Sequence, residues 1–135
     1  MKNIGIWLDK EKAIIVSIQN EIEQLSTVMS EIEHYRPRGG SGTRFKGGPQ
    51  DVIQDSKFLE RELHQLKRYF HKIVKEIRDA KAIVIFGPAE TGAKLNKELF
   101  EHFKELHTKV KGVRTTDSMT NNQLKAWVRD FFQPK

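Results

Sequence analysis

Apolar residues alternate with other residues at Ile4, Ile6 and Leu8, a polar Asp9-Lys10-Glu11-Lys12 turn follows, and Ala13 to Ile18 is a run rich in β-branched residues. Period-two alternation and β-branching on either side of a polar turn predict a hairpin. Asn20-Glu21 marks a second turn, and the mixed stretch from Ile22 to Ile32 suits a third, edge-like strand, so this part of the chain reads as an antiparallel meander. From about Asp51 the period changes. Leu59, Leu63, Leu66, Phe70, Ile73 and Ile77 follow alternating steps of four and three, the stripe by which a helix packs on a sheet, and this helix ends near Asp79. Ala82 to Phe86, closed by Gly87-Pro88, reads as a buried strand. Thr91 to His107 predicts a second helix with Leu95, Leu99, Phe103 and Leu106 inward. Val110 to Thr115 is a fifth strand, and Thr120 to Phe132 a third helix with Leu124, Trp127 or Val128, and Phe131 on its apolar side.

The predicted order is therefore βββαβαβα. Three antiparallel strands followed by right-handed crossovers generate a five-stranded mixed sheet with helices on its faces, an α/β three-layer fold. That succession is the one seen in ribonuclease H-like folds, although a fold by itself assigns no chemistry. A chain of 135 residues fits one domain, 1–135, with a single core. Between the third strand and the first helix, His34 to Gln50 holds five of the nine glycines and two prolines, a composition expected of a flexible loop.

Charge gives that loop and helix a role. The formal net charge is +6, but residues 1–33 carry −3, residues 34–81 carry +6 and residues 82–135 carry +3. A positive field concentrated on one loop and one helix is the distribution of a nucleic-acid footprint, and solubility alone also accounts for a modest net charge. There is no cysteine, which excludes disulfides and thiolate metal sites. Charged residues 9–12 interrupt the amino-terminal apolar stretch, so no signal peptide is expected there. Without an apolar run near the roughly 20 residues of a membrane span, a cytoplasmic protein with no membrane partner is expected.

Within the loop, Arg36, Arg38, Arg44 and Lys46 are placed to contact phosphates, Tyr35 and Phe45 to stack on unpaired bases, and the glycines to permit close backbone approach, while Phe45 equally suits a core anchor at the loop's exit. On the helix, Lys57, Arg61, His64, Arg68, His71, Lys75 and Arg78 repeat in four-three steps, the first six each two residues behind a member of the apolar stripe. Two residues are about 200° of rotation, so the cationic line lies almost opposite the core. Such a line matches successive phosphates; it also reads as a solvated face, since Glu60, Glu62 and Glu76 lie within pairing distance. His71 has no carboxylate one helical turn away along the chain, and no metal or other cofactor is assigned to His64 or His71.

The passage Arg38-Gly39-Gly40-Ser41-Gly42-Thr43-Arg44-Phe45, between a strand and a long helix, resembles the loop of the middle domain of archaeal and eukaryotic class I release factors and of Pelota-type ribosome-rescue factors. In that family Gly-Gly-Gln precedes an Arg-Phe pair that opens the long helix. The resemblance extends over the whole chain, including the strand Ala82 to Phe86, and implies a ribonuclease H-like fold and contact with the ribosome through ribosomal or transfer RNA. It implies RNA contact by Arg36, Arg38, Gly39, Gly40, Arg44, Phe45 and Lys46. Ser41 stands where the family has the glutamine that promotes peptidyl-tRNA hydrolysis, so that activity is not carried over. Gln50, after Gly47-Gly48-Pro49, has a different backbone setting and does not replace it.

Three other readings compete. Gly87-Pro88-Ala89-Glu90-Thr91-Gly92 joins a strand to a helix, where amides can hold an anion, but it lacks the Lys-Ser/Thr ending of a P-loop, and Glu90 repels phosphate. The topology brings Asp9, Glu90 and Asp117 to one edge of the sheet, where carboxylates can hold Mg²⁺ for a nuclease; turn and cap roles explain the same three residues. Trp7, Trp127, Phe131 and Phe132 serve either a core or a protein-interaction surface.

Overall fold

The amino-terminal alternation builds a meander. β1 (Lys2–Leu8) pairs antiparallel with β2 (Lys12–Gln19), and β2 pairs antiparallel with β3 (Ile22–Met29). The structure, a computed structural model, describes residues 2–30, 49–88 and 90–133, and from 49 to 59 it describes the backbone alone. Asp9 fixes the first turn, its Oδ1 accepting the backbone N–H groups of Glu11 at 2.8 Å and Lys12 at 2.9 Å. The second turn has two residues, Asn20 and Glu21, at φ 54° and 67°. Positive φ at both positions matches the twist of a tight hairpin, and Glu21 adopts it against the steric cost of its Cβ.

The helix predicted from about Asp51 is α1 (Pro49–Ile77), whose 29 residues run about 44 Å. The next strand, β4 (Ala80–Gly87), has 8 residues and extends only about 26 Å. A helix longer than the sheet is tall must overhang it. Among the residues with described side chains, the buried ones are Leu66, Tyr69, Phe70, Ile73, Val74 and Ile77, all in the second half of α1. Leu63, expected on the apolar stripe, is 63% exposed because it precedes that covered stretch and lines an open groove. Leu59, also expected there, lies among the residues described by backbone alone.

β4 joins β1 in parallel, and β5 (Val110–Thr115) joins β4 in parallel, giving five strands in the order β3-β2-β1-β4-β5. The single helix expected from Thr91 to His107 is two, α2 (Thr91–His102) and the one-turn α3 (Lys104–His107), so the order becomes βββαβααβα. Phe103 still donates its N–H to Leu99 O at 2.8 Å, but its own backbone leaves the helical region, at φ −138° and ψ 60°. The break redirects the chain so that Leu106 reaches the core and Lys109 O accepts Ile83 N–H at 2.9 Å, opening β5. α4 (Asn121–Phe132) completes the described elements.

Alternation along the strands divides the core between two faces. Ile4, Ile6, Leu8, Ile15, Ile83 and Ile85 pack with buried residues of α1, α2 and α3, whereas Trp7, Val16, Val84 and Phe86 pack with Leu124 and Val128 of α4. The three expected layers result. Gly5 lets α4 settle on β1, since a Cβ there would lie 2.2 Å from Val128 Cγ2. Gly87 ends β4 at φ 145°, where a Cβ would come within 2.4 Å of Leu8 O, so the close passage of the β1 and β4 ends requires glycine.

Candidate nucleic-acid interface

α1 turns its apolar side to the sheet because Leu66, Phe70, Ile73 and Ile77 recur at helical spacing, and this orients everything on its other side. Arg61, His64, Arg68, His71, Lys75 and Arg78 are exposed. Lys75 occupies the last turn of the helix, where cations meet the negative end of the backbone dipole. Lys57 lies on α1 where the backbone alone is described, and Arg36, Arg38, Gly39, Gly40, Ser41, Arg44, Phe45 and Lys46 lie outside the described residues.

His71 differs from its neighbours. Its Nε2 sits 3.0 Å from Glu98 Oε2, and Glu98 is 7% exposed. The ring of Phe103 meets the His71 ring edge-on, with centroids 5.3 Å apart. Spacing along α1 shows no carboxylate partner for His71, because the partner comes from α2 and only packing brings the two helices together.

The structure also adds cations that the sequence reading missed. A groove of about 620 Å³ between α1 and α2 is lined by His64 and Lys67 from one helix and by Lys94 and Lys97 from the other. Lys94 and Lys97 share a helical face, a signal present in the sequence, but their position opposite α1 depends on the crossover through β4. Glu60, Glu98 and Glu101 line the same groove, so its charge is mixed.

Behind this surface, Tyr69 locks α1 to the end of β1. Its hydroxyl donates to Asp9 O at 2.9 Å. Burial, reinforced by the nearby negative charge of Asp9, holds the phenol well above its ordinary pKa, so it acts as a neutral donor.

The carboxyl ends of β1, β4 and β5 lead to Asp9, Glu90 and Asp117, as the topology predicts, without gathering them. Asp9 closes its own turn, and Glu90 precedes α2 without a side-chain capping bond. Asp117 offers its carbonyl to Trp7 Nε1–H at 3.3 Å. Asp9 and Glu90 share a cleft of about 460 Å³ with Lys10 and Lys94, and Asp117 does not line it. Among the described residues, the close His/carboxylate group is Glu98, Glu101 and His102, on α2. The aromatic candidates belong to the seam beneath α4: Trp7 is buried, Trp127 stacks on Phe86 at 4.0 Å, and Phe131 follows Trp127 at 5.7 Å. Among the described residues no helix is long and apolar enough to cross a membrane.

A mixed sheet in the order 3-2-1-4-5, with α1 to α3 on one face and α4 on the other, defines the fold as ribonuclease H-like, the class expected from the element order. Within that class the chain has the fold of a segment of Pelota and of an archaeal release factor. Archaeoglobus fulgidus Pelota matches over 97% of this chain and 31% of its own, with a TM-score of 0.60 and 9% identity. Thermoplasma acidophilum Pelota matches over 95% of this chain and 32% of its own, at 0.57 and 16% identity. The archaeal translation termination factor aRF1 matches over 95% of this chain and 33% of its own, at 0.60 and 10% identity. The chain thus spans about a third of the length of each, and at these identities the likeness is one of fold. No protein-family model and no curated protein matches the sequence.

Proposed function

We propose that this protein is a non-enzymatic factor of the translation apparatus that docks on ribosomal or transfer RNA through the exposed cationic face of α1 and the basic loop before it. The observation that carries this reading is the line of Arg61, Arg68, Lys75 and Arg78 on the side of α1 turned away from the core. Such a line can follow a phosphate backbone, each contact releasing counterions. The arginines and glycines of residues 36–46 extend the same chemistry towards single-stranded or irregular RNA. The fold shared with a translation termination factor supports assignment to this apparatus. Ser41 offers no side-chain amide at the position of the family glutamine, so docking without peptide release is the activity assigned. A Mg²⁺-dependent nuclease is disfavoured because the Asp9 carboxylate is engaged in its own turn and Asp117 does not line the cleft that Asp9 and Glu90 share.

Co-sedimentation with ribosomes tests the proposal. The protein is expected to pellet with ribosomes at low salt and to leave them as salt rises. A protein that stays in the supernatant at low salt and shows no binding to transfer RNA refutes it.

A further inference from the structure

Near its carboxyl end, α2 carries a group of side chains that RNA docking does not use. Glu98, Glu101 and His102 each offer a ligand atom, and these atoms all lie within 4.8 Å of one another. The spacing explains the convergence, since Glu98 and His102 are one helical turn apart and Glu101 is three residues from Glu98. Glu98 is the unusual member, 7% exposed although it is a carboxylate. Keeping a carboxylate out of water requires compensating partners. His71 supplies one of them, from α1, at 3.0 Å from Oε2. A carboxylate has two oxygens, so Oε2 can remain on His71 while Oε1 takes a second partner.

We infer that Glu98, Glu101 and His102 form a binding site for one transition-metal dication of the zinc class, with His71 orienting the buried Glu98 from the neighbouring helix. The donor set decides the class of ion. One imidazole nitrogen and two carboxylates suit zinc and its neighbours, whereas magnesium and calcium favour all-oxygen sites. With bonds of about 2.0–2.1 Å, tetrahedral zinc places its ligand atoms about 3.4 Å apart. Glu101 and His102 are exposed, so side-chain rotation can close the remaining distance without moving the core. Three protein ligands leave a fourth position for water. His71 is a positioning residue, the hydrogen-bonding partner that metal-bound groups commonly have behind them. The bound ion would tie the last turn of α2, just before the break at Phe103, to α1 through His71. This inference does not depend on RNA binding.

The experiment is calorimetric titration of the full chain with zinc chloride and, separately, with magnesium chloride, in buffer free of chelators and phosphate. One zinc per chain is expected, with no magnesium binding at the same concentrations. His102→Ala and Glu101→Gln should each weaken zinc binding at least tenfold, and His107→Ala should leave it unchanged. Both site variants alter exposed residues, so a folded protein is expected in each case. His71→Ala should weaken binding about tenfold, and His71→Gln, which keeps an N–H donor for Glu98, should restore most of it. Absence of one-to-one zinc binding, or equal affinity in the His102→Ala and parent proteins, overturns the inference.

Discussion

Tyr69 shows how one side chain links layers that the sequence separates. Its hydroxyl reaches the carbonyl of Asp9, the residue whose side chain also closes the first hairpin turn. Tyr69→Phe removes this bond and is expected to cost about 1 kcal/mol at neutral pH. The pH dependence has a defined sign. The folded phenol titrates above its unfolded value near 10, so its contribution is complete below that pH. At higher pH the unfolded chain loses a proton that the folded chain retains, and stability falls by up to about 1.4 kcal/mol per pH unit. Denaturant unfolding at pH 8 and pH 11 should therefore show the advantage of the parent protein over Tyr69→Phe shrinking or reversing. An unchanged difference would exclude this linkage.

At the scale of elements, α4 begins with a reciprocal capping box. Thr120 Oγ1 accepts the Gln123 N–H at 3.2 Å, and Gln123 Oε1 accepts the Thr120 N–H at 2.9 Å. Thr120→Ala removes the side-chain half of that arrangement, leaving the Gln123 N–H without its Oγ1 acceptor, and is expected to lower stability by about 1 kcal/mol in equilibrium unfolding, whereas the exposed neighbour Asn122→Ala should change it by less than about 0.5 kcal/mol. Boundaries of this kind were legible in the sequence because they rest on local chemistry, as do the Asn20-Glu21 turn and the Gly87 end of β4. The five strands and their mixed pairing in one sheet were legible too, because β-branching and turn residues defined the strands and the handedness of crossovers arranged them. Two features of the fold were not. The break at Phe103 leaves the apolar spacing of Leu99, Phe103 and Leu106 intact, so periodicity reads straight through it. Leu63 fits the stripe of α1 but precedes the part that the sheet covers, and helix overhang has no signature in spacing. The exposed basic line was legible for the same reason as the core stripe, being its mirror image on α1. The partnership of His71 with Glu98 was not, since it joins two helices across a crossover.

For the molecule as a whole, charge sets the binding prediction. The +6 net charge gives a general attraction to polyanions, but a docking face makes affinity fall with salt in proportion to the phosphates contacted. Reversing the charge of Arg36, Arg38 and Arg44 should weaken ribosome binding and reduce the log–log salt slope by about 2–3, at roughly 0.7–0.9 per lost contact. An unchanged slope would remove the loop from the interface and leave the α1 line to be tested alone. The sheet order has a different consequence, which concerns how the chain assembles. β1 ends at the centre of the sheet, yet its two partners become available at very different times: β2 follows across a tight turn, whereas β4 comes only after α1. Closing the short turns of the meander sacrifices little entropy, and closing the long crossover sacrifices more. Until β4 docks, the future central strand is therefore itself an edge, with a row of backbone groups open to mispairing. The interval in which α1 is made and packed is the vulnerable period in the life of this fold.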